Sequence, residues 1–245
     1  MAKKTINSLI IGIFTLALTL GGGVVTAGTD GAYDQAILSK LWEKNLYLKL
    51  IIDDQPNRFS DVDRYILMMA KGIQIQNDQR ARLRALTSEL NSALYGEYLS
   101  RTSDAAAEAY SRVSLKIQKY LEKKDPEACY NWSHRNESKM QALQSLDQET
   151  LQEYKNALTE AVRQAIFNPQ PPVEDAAANK IIKDIALKLK DKYKGNLHVE
   201  DPENARNLNE KLEVCRITID VTEALLTYPI EKISVVTRSV FEPNN

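Results

Sequence analysis

Fifteen residues, Asp125 to Lys139 (DPEACYNWSHRNESK), hold one of the chain's two cysteines, one of its two tryptophans and one of its two histidines. Cysteine, histidine and neighbouring carboxylates are the side chains of nucleophilic catalysis and of metal ligation, so this stretch is where chemistry is sought first. Cysteine catalysis needs a thiolate with a base within hydrogen-bond reach. Cys129 and His134 are five positions apart, about 140° around a helix of 3.6 residues per turn, so a shared helix turns them away from each other. His198 would have to approach from the 194–200 loop, and nothing in the pattern requires it.

Glu127, Asn131, His134 and Glu137 share a helical face, and HRNE sets a histidine and a glutamate three apart. Carboxylate-bridged metal bundles use the reverse order, Glu-x-x-His, on two paired helices. One helix with acids and a histidine reads as a solvated face, and no metal is expected. Phosphate-cradling glycine loops, a G-x-S-x-G elbow, a C-x-x-C pair and C-x-x-C-H haem attachment are all missing from the sequence. The 33 acids leave residue types for glycoside cleavage, but no local pattern singles out a pair. No cofactor is expected, and a non-enzymatic protein is favoured over an unrecognised hydrolase. Asn131–Ser133 and Asn136–Ser138 match the glycosylation acceptor pattern, which matters only in a eukaryotic source.

Cys129, Trp132, Asn136, Met140 and Leu143 recur at spacings of three and four, so cysteine and tryptophan fall on an inward stripe. The outer face is then Tyr130, His134 and Glu137, a candidate surface for a ligand or partner. Cys215 occupies the same kind of position on the seam Ala205, Leu208, Leu212, Cys215, Ile219 and Leu226. Two cysteines in an exported chain are expected to pair. The expectation is a Cys129–Cys215 disulfide joining two helices that both open with Asp-Pro, at 125–126 and 201–202.

Export is read from the start of the chain. Lys3 and Lys4 precede an apolar run over 9–20, three glycines and VVTAG, the layout of a cleavable signal peptide. The expected cut follows Ala27, and the mature chain enters the periplasm or the extracellular space. The rival is an uncleaved anchor, since 9–28 is uncharged and about as long as the roughly 20 residues that span a bilayer. Cleavage removes 27 of 245 residues and both lysines, taking the formal charge from −1 to −3. That balance excludes a strongly basic field for nucleic acid or anionic lipid.

Positioning these residues falls to helices. Nine glycines and eight prolines in 245 residues, with long runs at helical period, predict an all-α bundle of about seven helices in one domain over 28–245. The first helix is expected over 33–52, stopping before Pro56, and Ser60 is the expected cap of the next. From Val62 through Ile66, Met69, Ile73, Gln76, Arg80, Leu83, Thr87 and Leu90 to Leu94 the seam never slips, which predicts one long central helix over about 61–100. Its middle would bury a layer of Gln76 and Arg80, answered by an internal carboxylate or by an acidic ligand.

Further helices are expected from Ser103 or Asp104, with Ala109, Val113, Ile117, Tyr120 and Leu121 inward, and from Asp125, from Ser145 or Asp147, over 174–194 before Gly195, and from Asp201. Asn168–Pro172, NPQPP, is the strongest helix breaker and a candidate subdomain hinge at 168–173. The segment 230–241 fits either a short helix or an extended tail. Together these features predict an exported, soluble protein that acts on another envelope or secreted protein. A small-molecule or ion-binding bundle, built on Gln76 and Arg80 or on the Glu127 and His134 face, is the alternative.

Overall fold

The structure is a computed structural model describing residues 30–73, 76–133, 139–193, 205 and 207–242, and among these residues every regular element is helical. The signal segment with its cut after Ala27, His134, Glu137, Gly195, His198 and the Asp201–Pro202 start lie outside the described residues. The chain divides into two compact units, Met1–Leu94 and Tyr95–Asn245.

In the first unit α1 (Asp30–Glu43) and α2 (Leu46–Asp54) replace the single expected helix. Asn45 interrupts them by donating its side-chain amide to the Leu41 carbonyl at 3.1 Å, a local bond that competes with the helical ladder. Pro56 opens a short helix α3 (Pro56–Phe59), where its missing donor is no loss. Ser60 keeps helical torsions and makes no side-chain capping bond, so the expected cap of α4 (Asp61–Ala70) does not form. Trp42, Val62, Tyr65 and Ile66 are buried, and the Trp42 indole donates to Asp63 Oδ1 at 2.9 Å.

The long central helix is also corrected. After α4 the chain turns at Gly72, whose φ of 69° is the left-handed conformation that glycine adopts without a Cβ clash. The amide of Ile73 reaches back to the Met68 carbonyl at 2.8 Å, closing the helix end. A new helix, α5 (Asn77–Ser92), begins with the Gln76 amide donating to the Gln79 side chain at 3.0 Å. The regular spacing of the seam therefore runs through a turn: Val62 and Ile66 before it and Leu83, Thr87, Leu90 and Leu94 after it are buried, while Ile73, Gln76 and Arg80 are exposed. A π-helical stretch, Ala93–Tyr98, and a 3-10 turn, Leu99–Arg101, follow.

The second unit is arranged around α6 (Asp104–Lys124), which packs against α7 (Pro126–Ser133), α9 (Gln148–Phe167), α11 (Leu208–Leu225) and α12 (Ile230–Ser239). The short α8 (Lys139–Gln144) follows α7, and α10 (Asp175–Leu189) packs on α11 and α12. Side-chain caps start these helices where short polar residues stand. Ser103 accepts from Ala106 N at 3.4 Å, Asp125 from Ala128 N at 3.0 Å, Asp147 from Thr150 N at 2.8 Å and Asn207 from Glu210 N at 3.0 Å.

Helix α6 buries Ala106, Ala107, Tyr110, Ile117 and Leu121, while Ala109 is exposed. Of the expected row Ile117 and Leu121 are buried, Val113 and Tyr120 are half-buried and Ala109 alone faces out, while Ala106, Ala107 and Tyr110 are buried in addition because four neighbours cover the helix from several directions. The 230–241 segment is helical over Ile230–Ser239 and turns at 240–241, and its Ile233 and Val236 join Ala178, Ile181, Ile185 and Leu225 in one apolar cluster.

Candidate functional site

The stretch that drew attention first is a structural joint. Cys129 and Cys215 form a disulfide with Cα atoms 5.8 Å apart, and neither side chain meets solvent. Trp132, one turn on, is buried, donates its indole N–H to Ser114 Oγ at 3.0 Å and stands edge-on to Tyr154 at 5.2 Å between ring centroids. Tyr110 continues the aromatic layer to Tyr154 at 6.2 Å and to Phe241 at 5.5 Å. Tyr95 stacks on Phe241 at 5.7 Å, and its hydroxyl lies 3.3 Å from that of Tyr154. Burial holds the Tyr95 hydroxyl above its ordinary pKa, against the lowering effect of the Tyr154 contact.

Of the expected outer face only Tyr130 is described, and it is buried rather than outward, with Lys211 Nζ 5.6 Å from its ring centroid. The lysine reaches from α11 to Glu127 of α7 at 2.5 Å, which holds its ammonium over the tyrosine ring. Arg216 with Glu122 at 2.9 Å and Lys119 with Glu223 continue a row of ion pairs between α11 and the α6–α7 pair. Beyond it the Tyr193 hydroxyl and Lys192 both engage Asp220, and desolvation, then the bond to that carboxylate, push the tyrosine pKa up.

Gln76 and Arg80 do not form a buried layer. Both are exposed, because the turn at Gly72 takes them off the seam. Their sequence spacing is that of a coiled-coil core, and a glycine turn outweighs it.

Sequence reasoning missed Arg238. This side chain is 6% exposed and sits near the end of α12, where its Nε donates to the Ser100 carbonyl at 2.9 Å and its Nη2 to the Pro171 carbonyl. Asp104 Oδ1 is 3.9 Å from Nη1. Burial lowers the pKa of the guanidinium, while Asp104 and Glu242 oppose that shift. Next to it Ser111 and Thr237 share a buried hydrogen bond at 2.7 Å, and Thr102 Oγ1 donates to the Ala161 carbonyl at 2.9 Å. A lone arginine inside the β-branched run IEKISVVTRSVF was the available signal.

Arg238 anchors the breaker segment after α9. The amide of Gln170 donates to the Arg101 carbonyl at 2.9 Å and that of Val173 to Glu242 Oε1 at 3.0 Å. Facing outward are Phe167, 77% exposed, and the exposed Pro169, Pro171 and Pro172. Leu187 of α10 is a further outward apolar side chain, at 68%.

Among the described residues no group of three or more histidines, cysteines and acids is placed to hold a metal ion. No described helix is long and apolar enough to cross a membrane. The chain matches no protein-family model, no curated protein and no solved structure.

Proposed function

We propose that the mature chain is an exported, non-enzymatic helical protein that works by binding another envelope or secreted protein, as an adaptor, an inhibitor or immunity protein, or a secretion-system accessory. The observation that carries this reading is the apolar stretch at the end of α9. Single exposed apolar residues are ordinary on a protein surface, whereas contiguous ones point to contact. Phe167 at 77% exposure and three exposed prolines lie within six residues, interspersed with Asn168 and Gln170, on a segment whose backbone is tied down.

Export is supported by the lysines and apolar run at the start of the chain and by the buried disulfide, a bond that persists in oxidising compartments. Chemical cross-linking in the native cells, followed by purification and mass spectrometry, tests both halves. The expected result is a reproducible heterologous partner and a mature terminus at Gly28. Recovery of the protein alone in every preparation would sink the binding reading. An intact Met1 in the membrane fraction would sink cleavage.

A further inference from the structure

We infer that 167–173 is a preformed docking segment for a protein whose groove is lined with aromatic side chains and takes proline rings. This rests on the protein-binding reading above and names the chemistry of the partner.

Covalent geometry sets the backbone. Pro169, Gln170, Pro171 and Pro172 form a Pro-x-x-Pro unit, and each pyrrolidine holds φ near −65°. Gln170 and Pro171 each precede a proline, which drives them from the helical region to extended ψ values. No described peptide bond is cis. Three prolines in four trans residues give polyproline II character, the conformation that aromatic-lined grooves read in proline-rich ligands.

Two amides and one carbonyl of this backbone are held from beneath. Gln170 N is bonded to the Arg101 carbonyl at 2.9 Å, the Pro171 carbonyl to Arg238, and Val173 N to Glu242 at 3.0 Å. Arg238 is itself fixed by the Ser100 carbonyl and is 6% exposed, so the clamp is part of the interior. Inward hydrogen bonds leave the rings of Pro169, Pro171 and Pro172 and the ring of Phe167 on the solvent side. A connector need only span the gap between α9 and α10. Ordering the strand before a partner arrives does more, since it removes conformational entropy that a free peptide would lose on binding.

The test places a photoreactive phenylalanine analogue at position 167 in the full chain, and in separate strains at Leu187 and Lys180, both exposed. After irradiation in the native cells, the protein captured at 167 is identified, purified and titrated against the wild type and a Pro171→Ala/Pro172→Ala variant. That variant keeps the carbonyl Arg238 uses, so the clamp survives, and an unchanged unfolding midpoint verifies the fold. The expected results are a heterologous adduct at 167, an aromatic-lined groove at the adduct site on the partner, and affinity at least tenfold weaker for the variant. A partner captured at 187 or 180 but not at 167, a second copy of this chain captured at 167, or affinities within twofold would each overturn the inference and leave protein binding standing. No adduct at any of the three positions would overturn both.

Discussion

Cys129 and Cys215, 86 positions apart, hold α7 and α11 together through a disulfide whose Cα atoms are 5.8 Å apart. The ion pairs flanking it, Lys211 with Glu127 and Arg216 with Glu122, each have one largely exposed partner, and such pairs contribute about 0–1 kcal/mol apiece. The bridge is therefore a stronger tie than either ion pair. Replacing both cysteines by alanine is expected to lower the unfolding free energy by up to ~4–5 kcal/mol, the chain-entropy limit for a loop of this length. Guanidinium titration of the oxidised protein and the double variant measures the difference. A loss below ~0.5 kcal/mol would show that the bridge adds nothing.

Arg238 gives a second outcome. Arg238→Leu removes two charge-assisted bonds and strands the Ser100 and Pro171 carbonyls, a loss of about 2–4 kcal/mol. Arg238→Lys should recover less than half, because one ammonium on a flexible stem does not reproduce a fixed guanidinium fork between two carbonyls. Equal stability of the lysine variant and the wild type would contradict that geometry.

Gly72 lies at φ 69° with open space where a Cβ would stand, so Gly72→Ala meets only backbone strain. The expected cost is about 1–2 kcal/mol, read by urea denaturation. A neutral or stabilising substitution would mean that the turn between α4 and α5 does not need the left-handed residue.

The cap of α9 predicts a pH effect. Hydrogen bonding by the Thr150 amide is the main cause holding the Asp147 carboxyl below its ordinary value. A pKa depressed on folding gives stability that is present above the unfolded value and lost as pH falls through the folded one. Asp147→Asn keeps a capping oxygen without the titration, so its thermal midpoint should fall less than that of the wild type on acidification. Parallel midpoint curves across the acid range would remove Asp147 as a contributor.

Much of the fold was legible because it is local. Ser103, Asp125 and Asp147 cap the helices their positions announced, since a short oxygen-bearing side chain before an apolar run satisfies free amides wherever the helix packs. The cysteine pair was legible too: two thiols on inward stripes have one intramolecular partner each. Periodicity misled at Gln76 and Arg80, where the spacing continues through a turn and the residues end exposed. It misled again at Tyr130, whose ring is covered by Lys211 from another helix.

The amino-acid sequence by itself determined the helical class, the starts of α4, α6, α7, α9 and α10, the disulfide and the position of the breaker at 168–172, because each depends on covalent geometry or on neighbours within a few residues. Tertiary structure alone decided the burial of Ala106, Ala107 and Tyr110 on α6, the break at Gly72 over a continuous seam, and the clamp of Arg238 on Ser100 and Pro171. These depend on groups 67 and 138 positions apart in the clamp and on four helices around α6. Contacts at that range are set by how the elements pack, and a one-dimensional pattern does not encode which carbonyl a buried guanidinium will meet.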